Sequence, residues 1–167
     1  MSHPVCYTIR MIIKKDIHRE LIEPLFDLDG TLIVEDRDST RLFDFDNPSA
    51  ILNLRESDLT HLGVLVRNSG KLFDILTARG ESNAPHVRIA LERLGFNVRN
   101  IMCVGIDINE PSDMDKVSAE MVVIKKQRIV KELLCKLVDN DQRNLEGLGE
   151  LGELVHQDQK EFEKVNG

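Results

Sequence analysis

Tryptophan is absent from this 167-residue chain, tyrosine occurs once, and aromatic residues make up only 4% of it. With 41% hydrophobic residues, that is the composition of an ordinary soluble α/β protein. No apolar run approaches the ~18 residues of a membrane span. The N-terminus has no signal-peptide pattern either, because Lys14, Lys15 and Asp16 interrupt the apolar stretch after Met11-Ile12-Ile13. Cysteine is scarce: Cys6, Cys103 and Cys135 are odd in number and lack metal-ligand spacing, so they read as reduced structural thiols. Positive charge is in deficit, 22 Lys and Arg against 29 Asp and Glu, for a net charge of −7. That balance argues against strong non-specific binding to nucleic acid and leaves room for a local basic patch. The expectation is a cytoplasmic protein with no membrane association and no obligate protein partner evident. One domain is the simplest organisation at this length, and such a chain buries roughly 70% of its unfolded surface.

What is present centres on Pro24-Leu25-Phe26-Asp27-Leu28-Asp29-Gly30-Thr31-Leu32-Ile33. An apolar run climbs to Asp27, one apolar residue intervenes, and Gly30-Thr31 turns the chain away after Asp29. Side chains alternate along a strand, so Asp27 and Asp29 share a side. Two carboxylates ending a buried strand are costly unless a cation neutralises them. Oxygen-only ligands suit a hard ion, and Mg²⁺ takes one or two carboxylates with water and phosphate. Asp-x-Asp alone also fits a plain Asp-Gly turn; the apolar approach and the Gly-Thr behind it favour the site.

Along the chain, 5–13 reads as a strand and 16–22 as a helical turn. Segments 32–35 and 41–45 flank a polar turn and predict a β-hairpin. Ser57 is placed to cap a helix carrying Leu59, Leu62, Leu65 and Val66, with Gly70 as its stop. A buried strand over 71–77 ends in Thr77. A helix with Val87, Ala90, Leu91 and Leu94 on one face closes at Gly95, and 101–106 is a buried strand of the parallel type. A polar loop from Asp107 to Asp115 precedes a helix from about Lys126 to Cys135. Strand 136–138 runs into Asp139-Asn140-Asp141, and 149–151 with 154–155 predicts a small fifth strand. The tail after His156 is polar. Strands alternating with helices predict a parallel sheet with helices on both faces, and ligands of such sheets bind outside the carboxyl ends of the strands. Asp27, Thr77 and Asp139 each end a different strand, so three segments build one site.

In the last helix, at about 100° per residue, Ile129, Val130, Leu133 and Leu134 form one apolar face. Lys126 projects at its centre, and Lys125 lies about 110° away. A lysine in that position calls for a buried anionic partner. Lys125 and Lys116 remain the alternatives.

These motifs, in this order, resemble the haloacid dehalogenase (HAD) superfamily over roughly residues 24–155. Asp27-Leu28-Asp29-Gly30-Thr31 matches its first motif, Thr77 closing an apolar strand its second, Lys126 its third, and Val138-Asp139-Asn140 with the downstream Asn144 its fourth. The resemblance implies a Rossmann-like three-layer α/β/α sandwich with a parallel sheet and a β-hairpin flap. It implies Asp27 as nucleophile, forming an aspartyl-phosphate, and Asp29 as the acid and base. Asp27, the backbone carbonyl of Asp29, and Asn140 would hold Mg²⁺. Thr77, the Ala78 backbone N–H and Lys126 (alternatively Lys125) would hold phosphoryl oxygens, with Asp139 and Asp141 in support.

The intervals between motifs leave no room for a cap domain, so an open site is expected. Open sites suit large or protruding substrates, and the motif arrangement is similar to the 3′-phosphatase domains of polynucleotide kinases. The expected activity is Mg²⁺-dependent phosphomonoester hydrolysis, with a nucleic-acid 3′ end as the leading substrate. The alternatives are a nucleotide, a small metabolite, a phosphoprotein, or a degenerate HAD domain used for binding.

Overall fold

The computed structural model describes residues 24–35 and 39–156. Among the described residues five strands make one parallel sheet: β1 (Leu25–Phe26), β2 (Phe73–Thr77), β3 (Val98–Cys103), β4 (Leu137–Asp139) and β5 (Gly152–Leu154). Their order is β3-β2-β1-β4-β5, and every pairing is parallel. All five residues of β2 are buried, the pattern of a strand covered on both faces.

Alternation along the strands separates two apolar layers. Ile75 packs with Leu28, Leu91 and Val98, whereas its neighbour Leu76 packs with Leu25, Met102 and Leu137. The first layer is covered by α2 (Ala84–Arg93) through Val87, Ala90 and Leu91, and α1 (His61–Asn68) lays Leu62 on Val138 of the same face. The opposite layer is covered by α3 (Ala119–Leu133) through Ile129, Val130 and Leu133. This is the expected α/β sandwich. Among the described residues no helix is long and apolar enough to cross a membrane.

The strand order locates the crevice. The chain runs from β1 to β2 to β3 on one side, then crosses back to place β4 and β5 on the other side of β1. The order therefore reverses at β1, and a crevice opens at the carboxyl ends of the strands there. Phe26 pairs with Val138, so Asp27 and Asp139 leave the sheet side by side.

Several local expectations are corrected. The segments 32–35 and 41–45 form no hairpin ladder among the described residues, and 36–38 of the expected turn at 36–39 lie outside them. The first arm is engaged elsewhere: Val34 N–H donates to Asp58 O at 2.8 Å and Thr60 N–H to Leu32 O at 3.0 Å. Thr60, not Ser57, caps α1, its Oγ1 accepting from Gly63 N–H at 3.0 Å. Ser57 instead sits in a 3₁₀ turn, where the Asp58 carboxylate takes Arg55 N–H at 2.8 Å. The helix expected from Lys126 begins at Ala119, where the Ser118 hydroxyl accepts from Met121 N–H. It ends one residue before Leu134, whose left-handed backbone (φ 54°) turns its side chain outward, 71% exposed.

The third strand spans 98–103, and the fifth is Gly152–Leu154, with 149–151 a 3₁₀ turn before it. Within the described residues of the two intervals expected to be too short for a cap, 3₁₀ helices and α1 are the only regular structure between Thr31 and β2. One 3₁₀ helix, Pro111–Lys116, lies between β3 and α3. The strand and turn expected within 5–22 and the polar tail lie outside the described residues.

Candidate active site

Asp27 follows directly on β1, tied to β4 by its N–H donating to Val138 O at 2.9 Å. Its Oδ1 accepts from Lys126 Nζ at 2.7 Å and its Oδ2 from the Thr31 hydroxyl at 3.0 Å. Lys126 donates also to Asp139 Oδ2 at 2.8 Å and is 1% exposed. Asp139, fully buried at the end of β4, takes Asn144 Nδ2 at 3.0 Å and Asp141 N–H at 2.9 Å as well. Lys126 therefore occupies the centre of the apolar face of α3, in mid-helix. Lys125 is exposed, and Lys116 pairs with Asp113 on the 3₁₀ helix.

Two buried carboxylates thus share one ammonium. Burial pushes the Asp27 carboxyl up to about 7, against the pull of Lys126. Burial also works against the charge on Lys126, but Asp27 and Asp139 outweigh it and raise its pKa. The cluster retains an excess of negative charge.

One terminus of the Asn140 carboxamide lies 3.1 Å from the Asp29 carbonyl oxygen and 2.9 Å from Asp27 Oδ2. With nitrogen there, the amide donates to both. With oxygen there, it faces two further oxygens at 2.9 and 3.1 Å, each close to the ~2.9 Å edge of an octahedron with Mg–O distances near 2.05 Å. A hard cation is what such a set accommodates. Among the described residues no three His, Cys, Asp or Glu side chains gather as a metal cluster. The set here is instead mixed: one carboxylate, one backbone carbonyl and one amide. Gly30 permits this closeness, since it adopts φ +83° and a Cβ on it would lie 2.3 Å from Asn140 Nδ2.

The Asp29 side chain is engaged by Arg79. Arg79 Nε and Nη2 donate to its two carboxylate oxygens at 2.9 and 2.7 Å, a bidentate grip. Arg79 is 2% exposed, bonds also to Leu42 O and Asn83 Oδ1, and lies 4.8 Å from the Phe43 ring centroid. From the sequence Arg79 reads as a surface or structural arginine; it is instead buried against the candidate acid. Strand alternation could not have signalled this, because β2 ends at Thr77, two residues before Arg79.

Thr77 itself is fully buried and does not line the cleft, and its Oγ1 accepts from Arg79 N–H at 3.2 Å. Ala78 is exposed and does line it. Asp141 reaches the cleft too, paired with Arg143 at 2.7 Å. Thr31, which the sequence reading left without a part beyond the turn, touches both Asp27 and Asn140. The cleft joining these groups measures about 630 Å³. Outside it, burial first of all pushes the Cys103 thiol up to about 12, leaving it unreactive. No family model, curated protein or solved structure matches the chain.

Proposed function

We propose that the chain is a HAD-type phosphatase, hydrolysing phosphomonoesters through an aspartyl-phosphate on Asp27 with Mg²⁺ held by Asp27, the Asp29 carbonyl and Asn140. The observation that carries this reading is the buried Lys126 bridging Asp27 and Asp139 beside converging oxygens at the reversal of strand order. A carboxylate cluster with excess negative charge and one fixed ammonium suits a site that takes a cation and a phosphoryl group together.

In the first half-reaction an Asp27 carboxylate oxygen bonds to phosphorus as the bond from phosphorus to the alcohol oxygen breaks. Asp29, protonated from solvent once one of its oxygens leaves Arg79, delivers that proton to the departing oxygen. In the second half, Asp29 takes a proton from water, the water oxygen attacks phosphorus, and the Asp27–phosphorus bond breaks to release phosphate. Lys126 offsets charge on the phosphoryl oxygens and orients Asp27. Arg79 fixes the direction in which Asp29 presents its carboxyl. When bound, Mg²⁺ supplies further positive charge to the same phosphoryl oxygens. Hydrolysis of p-nitrophenyl phosphate in Mg²⁺, with an acid-stable phosphate trapped on wild type and not on Asp27→Asn, tests the reading. Absence of turnover on every phosphomonoester class offered overturns it.

A further inference from the structure

We propose that the cleft beside Asp27 takes the monophosphate of a small alcohol bearing a flat aromatic ring, and not the end of a nucleic-acid strand. The proposal rests on the phosphomonoester reading of the site and adds the identity of the group the phosphate leaves.

The cleft's volume of about 630 Å³ falls within the ~300–1,000 Å³ of small-molecule sites. Its apolar lining is concentrated in Phe43 and Phe45 on one segment, with Ile106 and Val117 from the stretch leading into α3 and Met121 from its first turn. In a chain with so few aromatics, two of them meet here edge to face, centroids 4.8 Å apart and planes at 69°. Phe43 is held against Arg79, and Leu42 is buried with its carbonyl bonded to the same guanidinium. The Arg41–Asp58 bidentate pair at 2.9 and 2.5 Å anchors the segment from its other end. Phe45 lines the cleft and is 40% exposed, so part of the residue is open to a bound group.

The charges exclude the alternative. Among the described residues lining the cleft, the cations are Arg79, Lys126 and Arg143. Each already faces a carboxylate: Asp29, Asp27 with Asp139, and Asp141. A nucleic-acid strand brings successive phosphates and draws its affinity from cations left over to meet them. Among the described residues its lining offers none, on a chain of net charge −7. A single phosphate, received where the Mg²⁺ ligands lie, does not need them.

The test separates binding from turnover. In Mg²⁺, benzylphosphonate should bind about tenfold more tightly than propylphosphonate or cyclohexylmethylphosphonate by titration calorimetry, the size of an aromatic contact together with its buried area. The kcat/KM ratio of benzyl to propyl phosphate should match it, since both leave as alkoxides. Phe45→Ala and Phe45→Leu should each erase the preference, and Phe45→Tyr should keep it. A nucleoside monophosphate arm identifies whether a base or a simple ring is the better group. A mononucleotide 3′-phosphate should outpace a 3′-phosphorylated oligonucleotide. Equal use of propyl and benzyl groups, or preference for the oligonucleotide, overturns the proposal. Ring-selective phosphonate binding without turnover of any ester sustains it and overturns hydrolysis.

Discussion

Lys126 Nζ lies 2.7 Å from Asp27 Oδ1, although the two residues stand 99 positions apart in the chain. The contact joins the end of the central strand to the middle of α3 inside an apolar layer. A change at Lys126 therefore exposes two carboxylates to each other in a buried setting.

Lys126→Ala should lower turnover by about 10²–10³-fold, the range for loss of a preorganised charge in an active site. It should also destabilise the fold by about 3–5 kcal/mol, as breaking a buried ion pair does. Lys125→Ala should change stability by less than ~0.5 kcal/mol. Lys116→Ala should behave alike, because its solvent-exposed ammonium contributes little to the pair with Asp113. Rates normalised to folded protein for the three variants decide the matter. A dead Lys125→Ala or Lys116→Ala would refute the assignment.

Asp27 should trade stability for activity. Its folded pKa of about 7 lies above its unfolded value. Relative to the acid form, its effect on stability is fully favourable below the unfolded pKa and is lost as pH rises through about 7. In metal-free protein, Asp27→Asn should therefore raise Tm at pH 8 and leave it nearly unchanged at about pH 3, below the unfolded value of 3.8, while abolishing turnover. A lower Tm at pH 8 would show that the carboxylate stabilises the fold through Lys126 more than burial opposes it.

How far these features could be read from the chain depends on how local their causes are. Asp27 and Asp139 are legible because an apolar run ending in an acid is written in consecutive residues. Lys126 is legible from helical phase alone, since Ile129, Val130 and Leu133 mark the buried side whatever residue begins the helix. The start of α3 at Ser118 was missed because Val122-Val123-Ile124 is β-branched and no acidic residue three positions after the cap signals a capping box. The hairpin failed for a different reason. Its arms are rich in strand-forming apolar residues, but residues 58–60 compete for the backbone groups of the first arm, and that competitor is distant in sequence. Arg79 became visible only with the fold, because its partners Asp29, Leu42 and Asn83 come from three other segments.

The convergence of Asn140 with Asp27 and the Asp29 carbonyl predicts a specific metal response. EDTA should abolish activity, Mg²⁺ should restore it, and Zn²⁺ should not restore it fully, because the donors are all hard oxygens. Asn140→Ala should raise the Mg²⁺ concentration for half-maximal rate by about tenfold or more, in the range expected when metal-site groups are lost. Metal titrations of activity on wild type and variant give the comparison. Activity that survives exhaustive chelation would refute the assigned ligand set.

Arg79 gives the sharpest separation of positioning from packing. Its guanidinium holds both oxygens of Asp29, so the acid has one orientation; neither Gln nor Lys can reproduce that fork. Asp29→Asn sets the benchmark: losing the proton donor should slow alkyl phosphates far more than p-nitrophenyl phosphate, whose leaving group needs no proton. Arg79→Lys should copy that leaving-group bias in milder form, with kcat falling more than KM rises. Arg79→Gln should add a loss of stability of about 1–3 kcal/mol, since Leu42 O loses a buried donor and Asp29 its partner. A residue that merely fills space would lower Tm and slow both substrate types alike. Equal losses on alkyl and aryl esters in Arg79→Lys would therefore remove Arg79 from the acid's orientation and leave it a packing residue.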